Sequence, residues 1–585
     1  MSLETKVREA IRLHQLGKVS VAKKRYQQIL QVDPNNFDAL HMLGVAVFGE
    51  GNGSLAVDYI QRAILIFGKS PIVYFNLGNA YFSLLKMSEA EVAYQKAISL
   101  DKNYVDAYLN LGATFSNSGK YAVAINTLNL AARLRQNCPK INYQLGQAYA
   151  LNNQVQNAEQ CLKYAIHLQP NFPEPHLQLG NLFANQRRFD EAIFYLTQTL
   201  RIQPRNCDAL QSLGGVLAET GKFEEAESSF KAAIDINPNA ESIKVNQASL
   251  FRLKGEAKIA LQICQQVLEK SPTNTIALNL VAQVSMEIGD LRTAQTYYLK
   301  NFLSNDAHKW KQESGAFSAV CSYLLGDRSE TKELLTKLQS SLVAGDDTQF
   351  TVGVAVAYHG FLNQLITNHL PIPSNSDDEL FVIAESHGLS HHDNVVEYES
   401  KYYKCKALWV PGCKQWHLAS PSPNNYKVAV ETQLGKLPKG SKVLVVFGEI
   451  DCRLTSGLIP FHKKNPQLTL EQVVDQTVIG YLDFMSRRNT IWNHNLIFSG
   501  IPAPNIDIRS VSQDELQQLI SVIRLVNDRM YEECKNRRFD FLDVYGMTDR
   551  GDGISNGVHH IDAHHLTPKA CKLAFENLSK FKNLN

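Results

Sequence analysis

Over the first 300 or so residues the apolar and small positions keep one spacing. The pair Leu-Gly occurs at 43–44, 77–78, 111–112, 145–146, 179–180 and 213–214, each 34 residues after the last. Alanine keeps the same step from Ala22 through Ala56, Ala90, Ala124, Ala158, Ala192, Ala226 and Ala260 to Ala294. Proline does so at Pro170, Pro204, Pro238 and Pro272, with Pro34 in phase. Three residue types in one register over nine units define an internal repeat, and a period of this length predicts a solenoid. Each unit reads as two helices. The glycine sits where the first helix crosses the second closely, and the alanine serves the same contact from the other side. Proline closes the unit because it cannot continue a helix, and it suits the first turn of the next.

These positions resemble the tetratricopeptide repeat (TPR), over roughly residues 4–305 as nine units. The resemblance implies an all-α superhelix that acts as a scaffold with a concave binding surface. On the inner helix, the residue before the repeat leucine is Asn76, Asn110, Gln144, Gln178, Ser212 and Asn246 in turn. One helical turn on stand Asn79, Gln147 and Asn181. A column of short amides can donate and accept hydrogen bonds, and so could hold the backbone of an extended peptide. It is similar to the asparagine ladder in the repeat superhelix of the O-linked N-acetylglucosamine transferases. A solvent-facing groove needing only a polar lining would use the same residues. The expected partner is a protein or peptide in that groove.

After the ninth unit, residues 308–342 keep helical periodicity without the repeat register and read as a capping pair. A further helical stretch, TVGVAVAYHGFLNQLITNHL, precedes PIPSNSDDE (371–379), whose prolines and polar residues mark a boundary. The expected organisation is a solenoid over 1–305, a helical capping and connecting segment over 306–370, a linker over 371–379 and a second domain over 380–585.

Beyond 380 the pattern changes to short continuous apolar runs between long amphipathic segments. The runs are LFVIA (380–384), ALWV (407–410), VLVVF (443–447), LIFSGI (496–501) and FLDV (541–544). Such runs suit strands buried on both faces of a parallel sheet. Thr469 with Gln472 and Ser512 with Glu515 have capping-box spacing, and Thr567-Pro568 opens the last helix. The composite is a doubly wound, three-layer α/β domain with a parallel sheet, of the flavodoxin-like kind, whose sites belong at the C-terminal ends of its strands.

One strand end carries candidate chemistry. LFVIA runs into Glu385, Ser386, His387 and Gly388. A serine hydroxyl becomes a nucleophile only when a base takes its proton and a third group orients that base. Near the C-terminus, GVHHIDAHHLTP places Asp562 and His565 three apart on a loop before the final helix. One short segment can thus supply both imidazole and carboxylate. Ser386 as a plain turn residue, the histidines around Asp562 as a metal cluster, and Cys452 as another nucleophile are the competing readings.

The blocks AESHG, PGCKQWHLA, VVFGEID and DAHHL, in that order, resemble the SGNH hydrolase superfamily (GDSL-type esterases and lipases) over about 378–585. The resemblance implies Ser386 as nucleophile, His565 as base and Asp562 as its orienter. It implies an oxyanion hole from the N–H groups of Ser386 and Gly412. It also implies ester or acyl-transfer chemistry on a glycan or other small ester, with neither cofactor nor metal. Two blocks depart from the family. Ala384-Glu385 stand where Gly-Asp precedes the serine, and Gly448-Glu449-Ile450-Asp451 replaces Gly-x-Asn-Asp. Isoleucine donates nothing, and losing one oxyanion donor costs on the order of 10²–10³ in rate. Arg453 is the nearest substitute cation. The rival expectation is a non-catalytic TPR protein-interaction scaffold whose second domain only binds a ligand.

Bulk properties narrow the partners. Net charge is +2, from 59 Lys+Arg against 57 Asp+Glu, which argues against nucleic acid or an anionic membrane as the main partner. Ten scattered cysteines without CxxC read as reduced thiols. The N-terminal stretch has no apolar signal core, and no window reaches the ~18–20 apolar residues of a membrane helix. A cytoplasmic protein is expected.

Overall fold

A computed structural model describes residues 2–304, 310–344, 349–368 and 376–584. The chain divides into two compact bodies. One is Met1–Thr220 with Lys231–Ile236, the other Gly221–Phe230 with Asn237–Asn585.

In the first body the helices come in pairs, beginning with Leu3–Gln15 and Val19–Val32, then Phe37–Gly49 and Gly53–Ile66. Entry is set locally. Asn36, Asn52 and Asn206 each accept the backbone N–H three residues on, at 3.1, 3.1 and 2.9 Å, satisfying a donor the helix cannot. Pro71, Pro139 and Pro173 occupy the first turns of their helices, where no N–H is required. The in-phase prolines do only half of what their spacing predicts. Pro170 and Pro204 follow the helix-terminal residues Gln169 and Gln203, so they end one helix and leave the next to start later.

The glycine column has a direct steric cause. A Cβ on Gly44, Gly78, Gly112, Gly146 or Gly180 would fall 2.5–2.6 Å from the side chain of Ile60, Tyr94, Leu128, Leu162 or Leu196 on the paired helix. No real Cβ sits that close. The alanines at the same crossing are all fully buried.

The second body continues with helices Glu241–Lys254, Ala257–Lys270, Thr275–Glu287, Leu291–Phe302, Lys311–Leu324, Arg328–Ala344 and Gln349–Asn368. A six-stranded sheet follows: β1 (Glu379–Ala384), β2 (Val395–Tyr398), β3 (Lys401–Trp409), β4 (Lys442–Val446), β5 (Asn495–Ser499) and β6 (Asp540–Leu542). Their order is β2-β3-β1-β4-β5-β6, and all neighbours are parallel except β2 with β3. The sheet is therefore mixed, not purely parallel as expected. Glu399 and Ser400 both take positive φ, 53° and 60°, the tight two-residue turn that folds β2 back along β3 as an edge hairpin.

Strand β1 is buried on both faces. Leu380, Val382 and Ala384 join one apolar cluster, Phe381 and Ile383 the other, which is why its sequence does not alternate. Both capping boxes form, at Thr469–Gln472 and Ser512–Glu515.

The helices of this body share a core with the sheet. Met286, Tyr298, Phe317, Tyr323 and Phe361 cluster with Leu389, Ala407 and Trp409. Glu287 ties the same seam, accepting from Arg252 at 2.7 Å and from Asn425 Nδ2 at 2.8 Å. The sequence pattern changes near 380, but the described residues from 237 onward belong to one compact body. Of the linker expected at 371–379, residues 371–375 lie outside the described residues.

Candidate functional site

The sheet order reverses at β1, which has β3 on one side and β4 on the other. In open α/β sheets such a switch point, at the C-terminal strand ends, is where ligands sit. Here β1 delivers Glu385 and Ser386, β3 leads to Pro411 and Gly412, and β4 leads to Gly448 through Arg453. Ser386 lies on a tight turn, with the Gly388 N–H donating to Glu385 O at 3.0 Å.

His565 Nε2 lies 2.9 Å from Ser386 Oγ, and His565 Nδ1 lies 2.8 Å from Asp562 Oδ2. Asp562 Oδ1 also accepts the backbone N–H groups of His564 and His565, both at 2.8 Å, so the loop holds its own carboxylate in place. Burial pushes the Asp562 carboxyl up, but the bonds from His565 and these N–H groups hold it well below the usual range. Burial lowers the His565 pKa against the pull of Asp562, which keeps the imidazole neutral and able to accept a proton. Phe361 lies flat on His565, ring centroids 3.9 Å apart.

The residues flanking the serine form a pair of their own that the sequence pattern does not announce. Ser386 Oγ lies 2.7 Å from Glu385 Oε2, and Glu385 Oε1 lies 2.5 Å from His387 Nδ1. Glu385 and His387 are both buried. Burial disfavours the charge on each, yet their pairing prevails: Glu385 is held below its ordinary value, and His387 is pushed up to about 9. His387 Nε2 meets the His564 carbonyl oxygen at 2.9 Å, linking the β1 loop to the C-terminal loop.

The third block does several jobs. Gly448 has φ +134°, and a Cβ there would lie 2.7 Å from Gln415 Nε2, so the position demands glycine. Asp451 is fully buried and accepts the N–H groups of Gln415 and Trp416 at 2.8 and 3.3 Å, capping the short helix Gln415–Ala419. Its pKa is pushed up to about 7 by burial, with the two N–H groups opposing. Glu449 takes Arg453 Nε and Nη2, at distances down to 2.6 Å, and His564 Nδ1 at 2.8 Å. Glu449 thus anchors Arg453 through Nε and Nη2, and the side chain also lines the cavity over the serine.

A cavity of about 530 Å³ opens over the serine, within the range that holds small-molecule ligands. Ser386, Gly412, Ile450, Arg453 and His565 line it on the sheet side, and Gln283, Glu313, Phe317, Tyr358 and Phe361 on the helical side. Gly412 takes the left-handed conformation, φ +71°. A second cavity of about 280 Å³, mostly apolar, shares Arg453 and His564 with the first. Ten cysteines are unpaired, and Cys452 is buried with its thiol pKa raised by desolvation, which suits a core thiol better than a nucleophile.

The histidines around Asp562 do not converge as a metal site. His565 faces Ser386, His564 pairs with Glu449, and His560 Nδ1 lies 2.9 Å from Ser555 Oγ. Among the described residues, Glu385, His387 and Glu449 do bring ligand atoms within 4.8 Å of one another. All three are already engaged, in the Glu385–His387 pair and in the bonds of Glu449 to Arg453 and His564.

The amides of the repeat are half-buried, and several are bonded to neighbouring side chains of the inner helices. Asn79 Oδ1 accepts from Tyr94 Oη at 2.8 Å and from Asn110 Nδ2 at 2.7 Å. Asn76 Nδ2 meets His41 Nε2 at 2.9 Å, and Gln147 Nε2 donates to Tyr143 Oη at 2.7 Å. Gln144, Gln178 and Asn181 share the half-buried setting in the first body, whereas Asn246 belongs to the second.

Fold and site define a helical repeat chain joined to a mixed-sheet α/β part. Comparisons speak to the repeat alone. Residues 7–71 match a tetratricopeptide repeat model, and residues 59–273 match one described as the C-terminal domain of cilia and flagella-associated protein 70. A crystal structure of MamA is 25% identical, covering 28% of this chain and 94% of that one, with a TM-score of 0.27. The C-terminal part of a TPR protein from Cytophaga hutchinsonii is 20% identical over 40% of this chain and 98% of that one, TM-score 0.33. YrrB, whose structure is titled a TPR protein with an unusual peptide-binding site, is 26% identical over 32% of this chain and 96% of that one, TM-score 0.26. No curated protein matches. The chain carries tetratricopeptide repeats across roughly its first 270 residues and beyond, and such repeats are protein-interaction scaffolds. No helix among the described residues is long and apolar enough to cross a membrane.

Proposed function

We propose that the α/β part is a serine ester hydrolase or O-acyltransferase resembling the SGNH type, acting on a glycan or other small ester. The TPR array recruits a protein or peptide partner to it. The observation that carries this reading is the relay Ser386 Oγ–His565 Nε2–His565 Nδ1–Asp562 Oδ2, with spacings of 2.9 and 2.8 Å at its two hydrogen bonds. In this mechanism His565 takes the hydroxyl proton as Ser386 Oγ bonds to the ester carbonyl carbon, and the carbonyl electron pair moves onto oxygen. Backbone N–H groups of Ser386 and Gly412 meet that oxyanion. Collapse expels the alkoxide, which takes the proton from His565. Water or a sugar hydroxyl then resolves the acyl-enzyme by the reverse path, giving hydrolysis or transfer.

The direct test is covalent trapping with a fluorophosphonate, followed by peptide mapping, alongside turnover of a short-chain aryl ester. Label on Ser386, lost together with turnover in Ser386→Ala, supports the proposal. Turnover surviving in Ser386→Ala would refute it. No label and no turnover would leave the α/β part a ligand-binding module on a TPR scaffold.

A further inference from the structure

At the third block Ile450 lines the cavity and donates nothing, while Arg453, which also lines it, is tied to Glu449 through Nε and Nη2. The helical wall offers a side-chain donor. Tyr358 lies on the helix Gln349–Asn368 and lines the same cavity as Ser386, Gly412 and Ile450. Phe361, three residues further and therefore on the same helix face, stacks on His565 with centroids 3.9 Å apart. That contact pins the face bearing Tyr358 against the catalytic loop. The Tyr358 ring is itself held edge-on by Phe317 and Trp409, at 5.5 and 5.9 Å between centroids.

Resting on the serine-esterase reading, we propose that the Tyr358 hydroxyl is a catalytic oxyanion donor supplied by the helical segment in place of the absent third-block asparagine. The phenol lines the cavity wall that faces Ser386 and Gly412, the space in which an oxyanion on a carbonyl carbon bonded to Oγ would form. Burial raises its pKa, which keeps the O–H protonated and donating at neutral pH. A tyrosine O–H is a single directed donor, which is what one lone pair of a developing oxyanion requires. The active site would then be complete only with this helix in place.

The test uses the full-length protein, one short-chain aryl ester and the rate of fluorophosphonate labelling. Tyr358→Phe keeps the ring and its aromatic contacts and removes only the donor. It should lower kcat about 10²-fold with KM nearly unchanged, and slow labelling in parallel. Adding Ile450→Asn to Tyr358→Phe should restore much of the loss, since an amide at 450 serves the same oxygen. A role in packing alone would lower thermal stability and show no such rescue. Wild-type kinetics in Tyr358→Phe, or no recovery in the double variant, would overturn the assignment. Ser386→Ala separates the two levels. If it is inactive while Tyr358→Phe is unimpaired, the esterase reading stands and only the tyrosine is wrong. If Ser386→Ala stays active, the serine reading itself is wrong.

Discussion

Glu385 Oε2 lies 2.7 Å from Ser386 Oγ, while His565 Nε2 lies 2.9 Å from the same oxygen. One hydroxyl proton therefore faces two acceptors, and only the histidine is aligned with a carboxylate that steadies its charged form. A proton resting on the Glu385 side must return before His565 can take it. Glu385→Gln replaces a charged acceptor with a weaker one. A hydrogen bond to a charged group is worth about 1 kcal/mol or more above a neutral one, so the rate of Ser386 labelling at pH 7.5 should rise roughly five- to tenfold. Slower labelling would show that Glu385 itself helps remove the proton.

The pH profile follows from His565. The base must be neutral, and burial places its pKa below the ordinary 6.5. The acid limb of kcat/KM should have its midpoint below pH 6.5, with activity flat above it until His387, raised to about 9, loses its proton. Asp562→Asn removes the acceptor that fixes the working tautomer and should cost up to about 10⁴ in kcat. An acid limb centred well above 6.5 would point to another base.

The Glu385–His387 pair predicts a stability profile of the opposite sense. His387 has a folded pKa of about 9 against 6.5 when free. Its bound proton therefore contributes stability in full below pH 6.5, and that contribution is lost as pH rises through 9. Thermal midpoints of the wild type and His387→Gln should differ most near pH 6 and converge above pH 9. A constant gap would mean that His387 does not gain its proton on folding.

In the repeat, Asn79 accepts from Asn110 and from the hydroxyl of the buried Tyr94. Asn79→Ala leaves a buried donor without its partner and should cost about 1–3 kcal/mol of stability in denaturant unfolding. A neutral result would mean that water replaces the amide, and that the groove is wetter than the packing suggests.

What the sequence by itself determined is what local chemistry or strict periodicity sets. The 34-residue step is legible because Gly44, Gly78, Gly112, Gly146 and Gly180 are each forced by a side chain 16 residues on, as Gly78 is by Tyr94. The capping boxes at Thr469 and Ser512 are read from residues three apart, and Asp562 and His565 share one loop for the same reason. The apolar runs announce strands because a doubly covered sheet excludes polar residues from both faces. Tertiary structure decided the rest. Tyr358 and Phe361 sit on a helix that reads only as part of a capping and connecting segment, and the shared core with Trp409 brings them to Ser386 and His565. The hairpin turn at Glu399-Ser400 carries none of the usual glycine or asparagine, so its antiparallel strand is silent in the sequence. Arg453 reads as the nearest substitute cation for the hole, and its tie to Glu449, which also pairs with His564, appears only in the fold. Side chains distant along the chain become partners only when burial of apolar surface brings their elements together, and a linear pattern carries no record of that distance.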